Sequence, residues 1–322
     1  MRAVVIDNGS LHLREVPTPG PGPGQARVRV RAAGVNRADL MQLRGMYPAP
    51  PDAPPDIPGL EIAGEVDAVG AGVREVAVGE RVFTIVGGGA YAEHVVVPAR
   101  TLAPIPEGLD FTHAAAIPEA FLTAYDAMVL QAGLSAGDDV LVHAVGSGVG
   151  TAAVQIARAI GATAIGTART QDKLDRAAAL GMKHGILAAD AKFADEVKRH
   201  TSGRGADVVL ELVGGAYLPE SLAACAERGR VVLVGLMGGA TAELSLGPML
   251  HRRLTVIGTV MRARPLEQKI ALGQVLRRNI TPLVAAGHLV PIVDRVLPLE
   301  QATAALTAMA SNTTFGKIIL TP

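Results

Sequence analysis

The sequence lacks an excess of either charge: over 322 residues, 30 Lys and Arg balance 30 Asp and Glu. A strongly basic nucleic-acid binder does not balance this way, because its affinity comes from neutralising phosphates. No nucleic-acid partner is expected. Cysteine is nearly missing. The single Cys225 excludes a disulfide framework and any cysteine-rich structural zinc site, and it reads as a small core residue. Aromatic residues reach only 3%, with no tryptophan, so the core must be aliphatic. Long apolar runs are also lacking. The least polar stretch, 144–168, is broken by Ser147, Gln155 and Arg158 and is rich in glycine, which is poor material for a membrane span. Near the N-terminus only Ala3–Ile6 is apolar before Asp7, too short for the apolar core of a signal peptide. A cytoplasmic protein without a membrane partner is expected. Disorder is excluded too, because 49% apolar and 19% charged residues leave ample surface to offset chain entropy.

Glycine (37) and proline (21) are plentiful, and proline is unevenly spread. Pro17, Pro19, Pro21 and Pro23 alternate with small residues, and six more fall between Pro48 and Pro58. Proline fixes φ and removes a ladder donor, so these segments are loops. Between them, Arg27–Arg31 and Gly64–Val69 alternate in polarity, and Arg81–Val86 and Glu93–Val97 are β-branched. The first 119 or so residues are therefore mainly β.

The pattern changes after Pro118. A helix is predicted over Phe121–Ala132, then strands at Val140–Ala144, Ala164–Thr167, Val208–Leu212, Val231–Gly235 and Leu254–Val260. Helices are predicted between them at Val149–Ile160, Gln171–Leu180, Ala191–His200 and Leu218–Ala226. Alternating strand and helix argue for an α/β fold with a doubly wound parallel sheet. From Pro265 a helix, a strand near Val293, another helix and a strand at Lys317–Leu320 look like a return to the first domain.

The first strand of this series runs into Val145-Gly146-Ser147-Gly148-Val149-Gly150 where a helix opens. Unpaired backbone N–H groups at a helix N-terminus suit a pyrophosphate, and glycine lets the backbone approach it. The spacing is not a literal G-x-G-x-x-G, so its weight comes from its place inside a βαβ unit. Dinucleotide sites that take NAD place a carboxylate at the end of the second strand. Here that place reads Gly166-Thr167-Ala168-Arg169-Thr170. Arg169 and, one turn later, Lys173 are suited to a 2′-phosphate, which favours NADP(H). Val213 and Gly214, and then Leu236, Met237 and Gly238, follow later strand ends, where such sheets bind ligands.

The run Gly137-Asp138…Leu141…Gly148-Val149-Gly150…Gln155…Arg158 resembles the signature of the zinc-free quinone oxidoreductase (zeta-crystallin) branch of the medium-chain dehydrogenases/reductases. Gly34-Val35-Asn36-Arg37-Ala38-Asp39, Pro58-Gly59-Leu60-Glu61, Gly89-Ala90-Tyr91-Ala92-Glu93 and Gly316-Lys317 match in order, so the likeness covers the whole chain. Asn36–Met41, Leu236-Met237-Gly238-Gly239 and Val293-Asp294-Arg295 look most like the tumour-suppressor-inducible type. Two departures stand out. Val145 replaces the usual small residue, and Ala188 falls where relatives often carry a tyrosine near the 2′-phosphate.

The resemblance implies a GroES-like β-barrel catalytic domain over 1–119 and 262–322, with an inserted Rossmann domain over 120–261. It implies an active site in an interdomain cleft, and a homodimer joined through Rossmann edge strands. Zinc-dependent relatives carry metal ligands at positions matching Asn36, Leu60 and Glu119; leucine cannot ligate and an amide is a poor zinc ligand. No metal site is expected. The implied activity is hydride delivery from NADPH to an acceptor that is already electrophilic, a quinone. The alternatives are an enoyl or 2-alkenal reductase, or an NADPH-binding protein with little turnover. Asn36 is expected to donate to a carbonyl or to orient the nicotinamide ribose, and Tyr47 to bind the acceptor oxygen or pass it a proton. Thr123 resembles a nicotinamide-side contact. Asn312 and Lys317 resemble contacts from the tail to cofactor phosphate or ribose.

Overall fold

The computed structural model describes residues 1–188 and 190–322. They form two units, Met1–Leu122 with Met261–Pro322, and Thr123–Val260.

The first unit starts with a hairpin, β1 (Arg2–Asp7) and β2 (Ser10–Glu15). Strand β3 (Gln25–Gly34) then buries Ala26, Val28, Val30 and Ala32 while Arg27, Arg29 and Arg31 point away from the core. This is the period-two rule that sends alternate side chains to opposite faces. Helix α1 (Arg37–Leu43) follows, then β4 (Glu61–Val69), β5 (Arg81–Ile85), β6 (His94–Pro98) and β7 (Ala103–Pro104). One edge of β3 pairs with β4; the other is shared by β6 near its start and, near its end, by the last strand of the chain. Bulges at Arg27/Val28 and Val30/Ala32 accompany this division. They bend a strand that must serve three neighbours. Helices α2 (Phe111–Ala114) and α3 (Pro118–Tyr125) complete this part. Proline at the first helical position needs no N–H, so α3 starts at Pro118, before the Phe121 expected from apolar spacing.

The second unit alternates strictly. Its strands are β8 (Asp139–Val142), β9 (Thr163–Ala168), β10 (His184–Leu187), β11 (Ala206–Glu211), β12 (Cys225–Leu233) and β13 (Thr255–Gly258). Helices α4 (Gly148–Ile160), α5 (Gln171–Ala179), α6 (Ala194–His200), α7 (Tyr217–Ala224) and α8 (Leu246–Arg252) lie between them. All pairings are parallel, in the order β10-β9-β8-β11-β12-β13. This is the Rossmann order, with its switch point between β8 and β11. Val140, Leu141 and Val142 are fully buried, each contributing about 1.5–3 kcal/mol. The helix expected over Leu218–Ala226 stops at Ala224, where Cys225 opens β12 and is buried.

The chain returns to the first unit through α9 (Leu266–Val275), α10 (Thr281–Ala285), β14 (Val293–Pro298), α11 (Ala302–Ala310) and β15 (Lys317–Thr321). Strand β15 joins β3 antiparallel and β14 parallel. The expected GroES-like and Rossmann-type α/β architecture is therefore found. Among the described residues, no helix is long and apolar enough to cross a membrane.

Candidate functional site

In the second unit, β8 ends at Val142 and the chain turns through Ala144, whose φ is +49°. Ser147 caps α4: its Oγ accepts the Gly150 N–H at 3.0 Å. The cap uses one of the helix's orphan donors and leaves those of Gly148 and Val149 for a ligand. Gly150 has no alternative, since a Cβ there would stand 2.4 Å from the Ala144 carbonyl oxygen. Gly146 is buried, and Ser147, Gly148 and Val149 are half-buried. The unusual Val145 is fully buried against Gly166 of β9, where a Cβ would lie 2.4 Å from Val145 Cγ1. Glycine on β9 thus makes room for valine in the loop. The residues present fit a dinucleotide pyrophosphate.

Arg169 is exposed directly after β9, and Lys173 is half-buried in the first turn of α5. Ala188 is fully buried, and Tyr217 of α7 donates its hydroxyl to the Ala188 carbonyl at 2.8 Å. Arg169 lies close enough to influence that phenol electrostatically.

Val213 and Gly214 form a tight turn after β11. Gly238 N–H donates to the Val213 carbonyl at 2.6 Å, and Gly214 bridges Gly239. Gly214 has φ +69°, and a Cβ there would lie 2.7 Å from Gly239 O. The structure thus brings the segments after β11 and β12 together, while Leu236 and Met237 stay exposed. Thr123 is buried on α3.

In the first unit, Asn36 caps α1, and its N–H donates to Asp39 Oδ2 at 2.7 Å. Its side-chain amide donates to Glu61 Oε1 at 3.0 Å. Lys317 Nζ donates to Asn36 Oδ1 at 2.6 Å and to the Val35 carbonyl at 2.8 Å, and pairs with Glu61 Oε1 at 2.6 Å. The other Glu61 oxygen accepts the Glu119 N–H at 2.8 Å. Tyr91 donates its hydroxyl to Asp39 at 2.8 Å. Asp39, Glu61 and Lys317 are buried. Burial lifts Asp39 to about 6. It lifts Glu119 to about 8, with the Glu61 carboxylate adding to the effect.

The two tail residues expected to contact the cofactor both have partners within the first unit. An ammonium has three donors, and Lys317 directs them to three oxygens of the first unit. Asn312, in the left-handed region at φ +58°, accepts Arg37 through Oδ1 and donates to the Ala310 carbonyl. It ties α11 to the start of α1.

Tyr47 is anchored by Arg262. Arg262, buried at 5% exposure, donates to the carbonyls of Tyr47 (2.9 Å) and Gly87 (2.6 Å) and to Gln42 Oε1 (2.8 Å). Its guanidinium stands 5.1 Å from the centre of the Tyr47 ring. Burial, with the Glu119 charge adding, pushes the phenol up to about 12, so it is a neutral hydrogen-bond donor. Sequence reasoning missed Arg262, Glu61 and the electrostatic role of Glu119. The residue after Leu60 was the available signal for Glu61; for Arg262 no local signal exists.

A zinc ion of the kind found in relatives does not fit these residues. Leu60 is a buried apolar side chain, and the Asn36 amide is bound to a lysine ammonium and a glutamate. Among the described residues no group of three His, Cys, Asp or Glu is placed to hold a metal.

Comparison with known proteins agrees with the fold. Residues 22–107 match the alcohol dehydrogenase GroES-like domain, and residues 148–275 match the zinc-binding dehydrogenase model. Human quinone oxidoreductase is 32% identical over 292 residues, covering 90% of this chain and 86% of that protein. The phthioceranic/hydroxyphthioceranic acid synthase of Mycobacterium tuberculosis is 36% identical over 295 residues. That match covers 90% of this chain, which spans only 14% of the synthase. A mycobacterial protein complexed with NADPH has a TM-score of 0.89 at 27% identity, with both chains fully covered. 2-Haloacrylate reductase has a TM-score of 0.84 at 32% identity, covering 100% of this chain and 99% of that one. The chain thus joins a unit of the alcohol dehydrogenase GroES-like kind to a Rossmann-type unit of the zinc-binding dehydrogenase kind. The chain belongs to the medium-chain dehydrogenase/reductase superfamily.

Proposed function

We propose that this oxidoreductase is a zinc-independent, NADPH-dependent reductase of quinones, of the zeta-crystallin type. The observation that carries the proposal is the donor set of the first unit. Asn36, Leu60 and Glu119 stand at the positions that match metal ligands in zinc-dependent relatives; Leu60 is apolar, and the Asn36 amide is taken up by Lys317 and Glu61. Without a Lewis acid, an acceptor must bring its own electrophilicity, as quinones do. Bound NADPH supplies the hydride. The Ser147-capped turn with Gly146, Gly148, Val149 and Gly150 holds its pyrophosphate, and Arg169 with Lys173 meets the 2′-phosphate. Val213, Gly214, Leu236, Met237 and Gly238 line the other half of the dinucleotide, with Thr123 beside it. Tyr47, as a neutral phenol fixed by Arg262, donates a hydrogen bond to the acceptor oxygen. Asn36 supports this end of the site from the Lys317–Glu61 pair. A second copy of the chain would pair along β13, the sheet edge, where Val256 and the nearby Leu246 and Leu250 are exposed.

The likeness to 2-haloacrylate reductase favours a second reading, reduction of a 2-enone by the same residues. Carbon protonation then needs a defined acid, and quinone reduction does not. Tyr47→Phe separates the two. Under quinone reduction kcat falls by no more than a few-fold; under enone reduction it falls by roughly 10²-fold or more. Loss of quinone turnover together with retained enone turnover would overturn both assignments of Tyr47.

A further inference from the structure

Four fully buried polar side chains sit beneath the strand ends of the second unit: Thr167, His143, Ser221 and Glu211, none more than 1% exposed. His143 Nδ1 lies 2.8 Å from Thr167 Oγ1, and His143 Nε2 lies 2.9 Å from Ser221 Oγ. Ser221 Oγ donates to Glu211 Oε2 at 2.6 Å. Glu211 Oε1 accepts the N–H groups of Val213 at 2.8 Å and Gly214 at 3.0 Å.

The donor inventory gives this chain a direction. A serine hydroxyl has one hydrogen. Glu211 takes it, so Ser221 accepts from His143, and the neutral imidazole carries its proton on Nε2. Nδ1 is then an acceptor for the Thr167 hydroxyl. Burial depresses the imidazolium form, in keeping with this assignment. Every hydrogen has an acceptor, which a buried polar network requires. The arrangement is not a nucleophilic triad: the serine donates to the carboxylate, whose Oε2 also stands 3.5 Å from His143 Nε2, and no member reaches solvent.

The position of the chain suggests its use. His143 directly precedes the strained Ala144 of the phosphate turn, and Thr167 lies two residues before Arg169. Glu211 fixes the turn after β11, across the switch point from β9. In a doubly wound sheet the pyrophosphate sits at that switch point, so the β9 side takes one half of the dinucleotide and the β11 side the other. We propose that Glu211, locked by Ser221 and His143, is a positioning residue that presents the Val213–Gly214 turn to the nicotinamide half of the cofactor. The proposal rests on the nicotinamide-cofactor reading above and assigns a division of labour within it.

The test uses the full chain, its Glu211→Gln variant and Ser221→Ala as a milder cut that keeps the carboxylate. Hydrogen exchange is followed in peptides spanning residues 212–216. Affinity is measured for NADPH and for adenosine 2′,5′-bisphosphate, which lacks the nicotinamide half. The expected result is faster exchange in that peptide. NADPH binding should weaken roughly tenfold, and adenosine 2′,5′-bisphosphate binding should change less than about twofold. Unchanged exchange in both variants overturns the positioning role. Equal weakening of both ligands overturns the division of labour and marks the network as general scaffold. A wild-type chain that binds neither ligand overturns the nucleotide reading itself, and the exchange comparison still decides whether Glu211 holds the turn.

Discussion

Removing the Glu119 charge should stabilise the protein, and more so as the pH rises. The Glu119 carboxyl is lifted from 4.5 to about 8 by burial and by the Glu61 carboxylate. The folded chain therefore binds this proton more tightly than the unfolded chain. Stability falls as pH climbs from the unfolded value towards the folded one, and no further loss occurs above it. At 1.36 kcal/mol per pH unit, the lift from 4.5 to about 8 gives a ceiling of about 5 kcal/mol. Partial exposure of Glu119 and a local dielectric above that of dry protein reduce this to about 1–3 kcal/mol. Glu119→Gln keeps the shape and cannot ionise. Urea denaturation of both proteins at about pH 5, 7 and 9 measures the effect. The variant should gain on the parent steadily between pH 5 and 8, and the gap should then level off. A gap that is constant, or that closes at high pH, would refute the burial argument.

Replacing Lys317 by Met should cost about 3–5 kcal/mol in denaturation at neutral pH, because Glu61 keeps its buried charge and loses its partner. A loss below about 1 kcal/mol would mean that water already reaches the pair. Arg169→Ala should weaken NADPH roughly tenfold and leave NADH within about twofold in fluorescence titrations; equal effects on both would remove Arg169 from the 2′-phosphate. Gly150→Ala, whose methyl group would meet Ala144 O at 2.4 Å, should abolish dinucleotide binding while circular dichroism keeps its native shape. Undiminished binding would show that the turn is not the phosphate cradle.

The Rossmann-type unit was largely legible because its strands are buried runs such as Val140-Leu141-Val142, and glycine closes α4 at Gly161. Strand β10 escaped notice because His184-Gly185-Ile186-Leu187 has neither length nor alternation. The hairpin β1–β2 and helix α1 also went unseen: β2 is mostly exposed, and α1 spans only seven residues. The turn from β8 into α4 could be read locally, since strand, glycines and helix are contiguous. Lys317 could not. Its partners lie more than 250 residues away along the chain, and a lysine at the start of a strand gives no sign that it is buried. The same holds for Arg262, whose hold on Tyr47 joins residues 215 apart.

The most direct test of the central claim is anaerobic turnover by chelator-treated protein, with NADPH and NADH each offered an ortho-quinone and a 2-enone. The account predicts the highest kcat/KM for NADPH with the quinone, unchanged by added zinc. Turnover that appears only with zinc, or that prefers NADH, would contradict it.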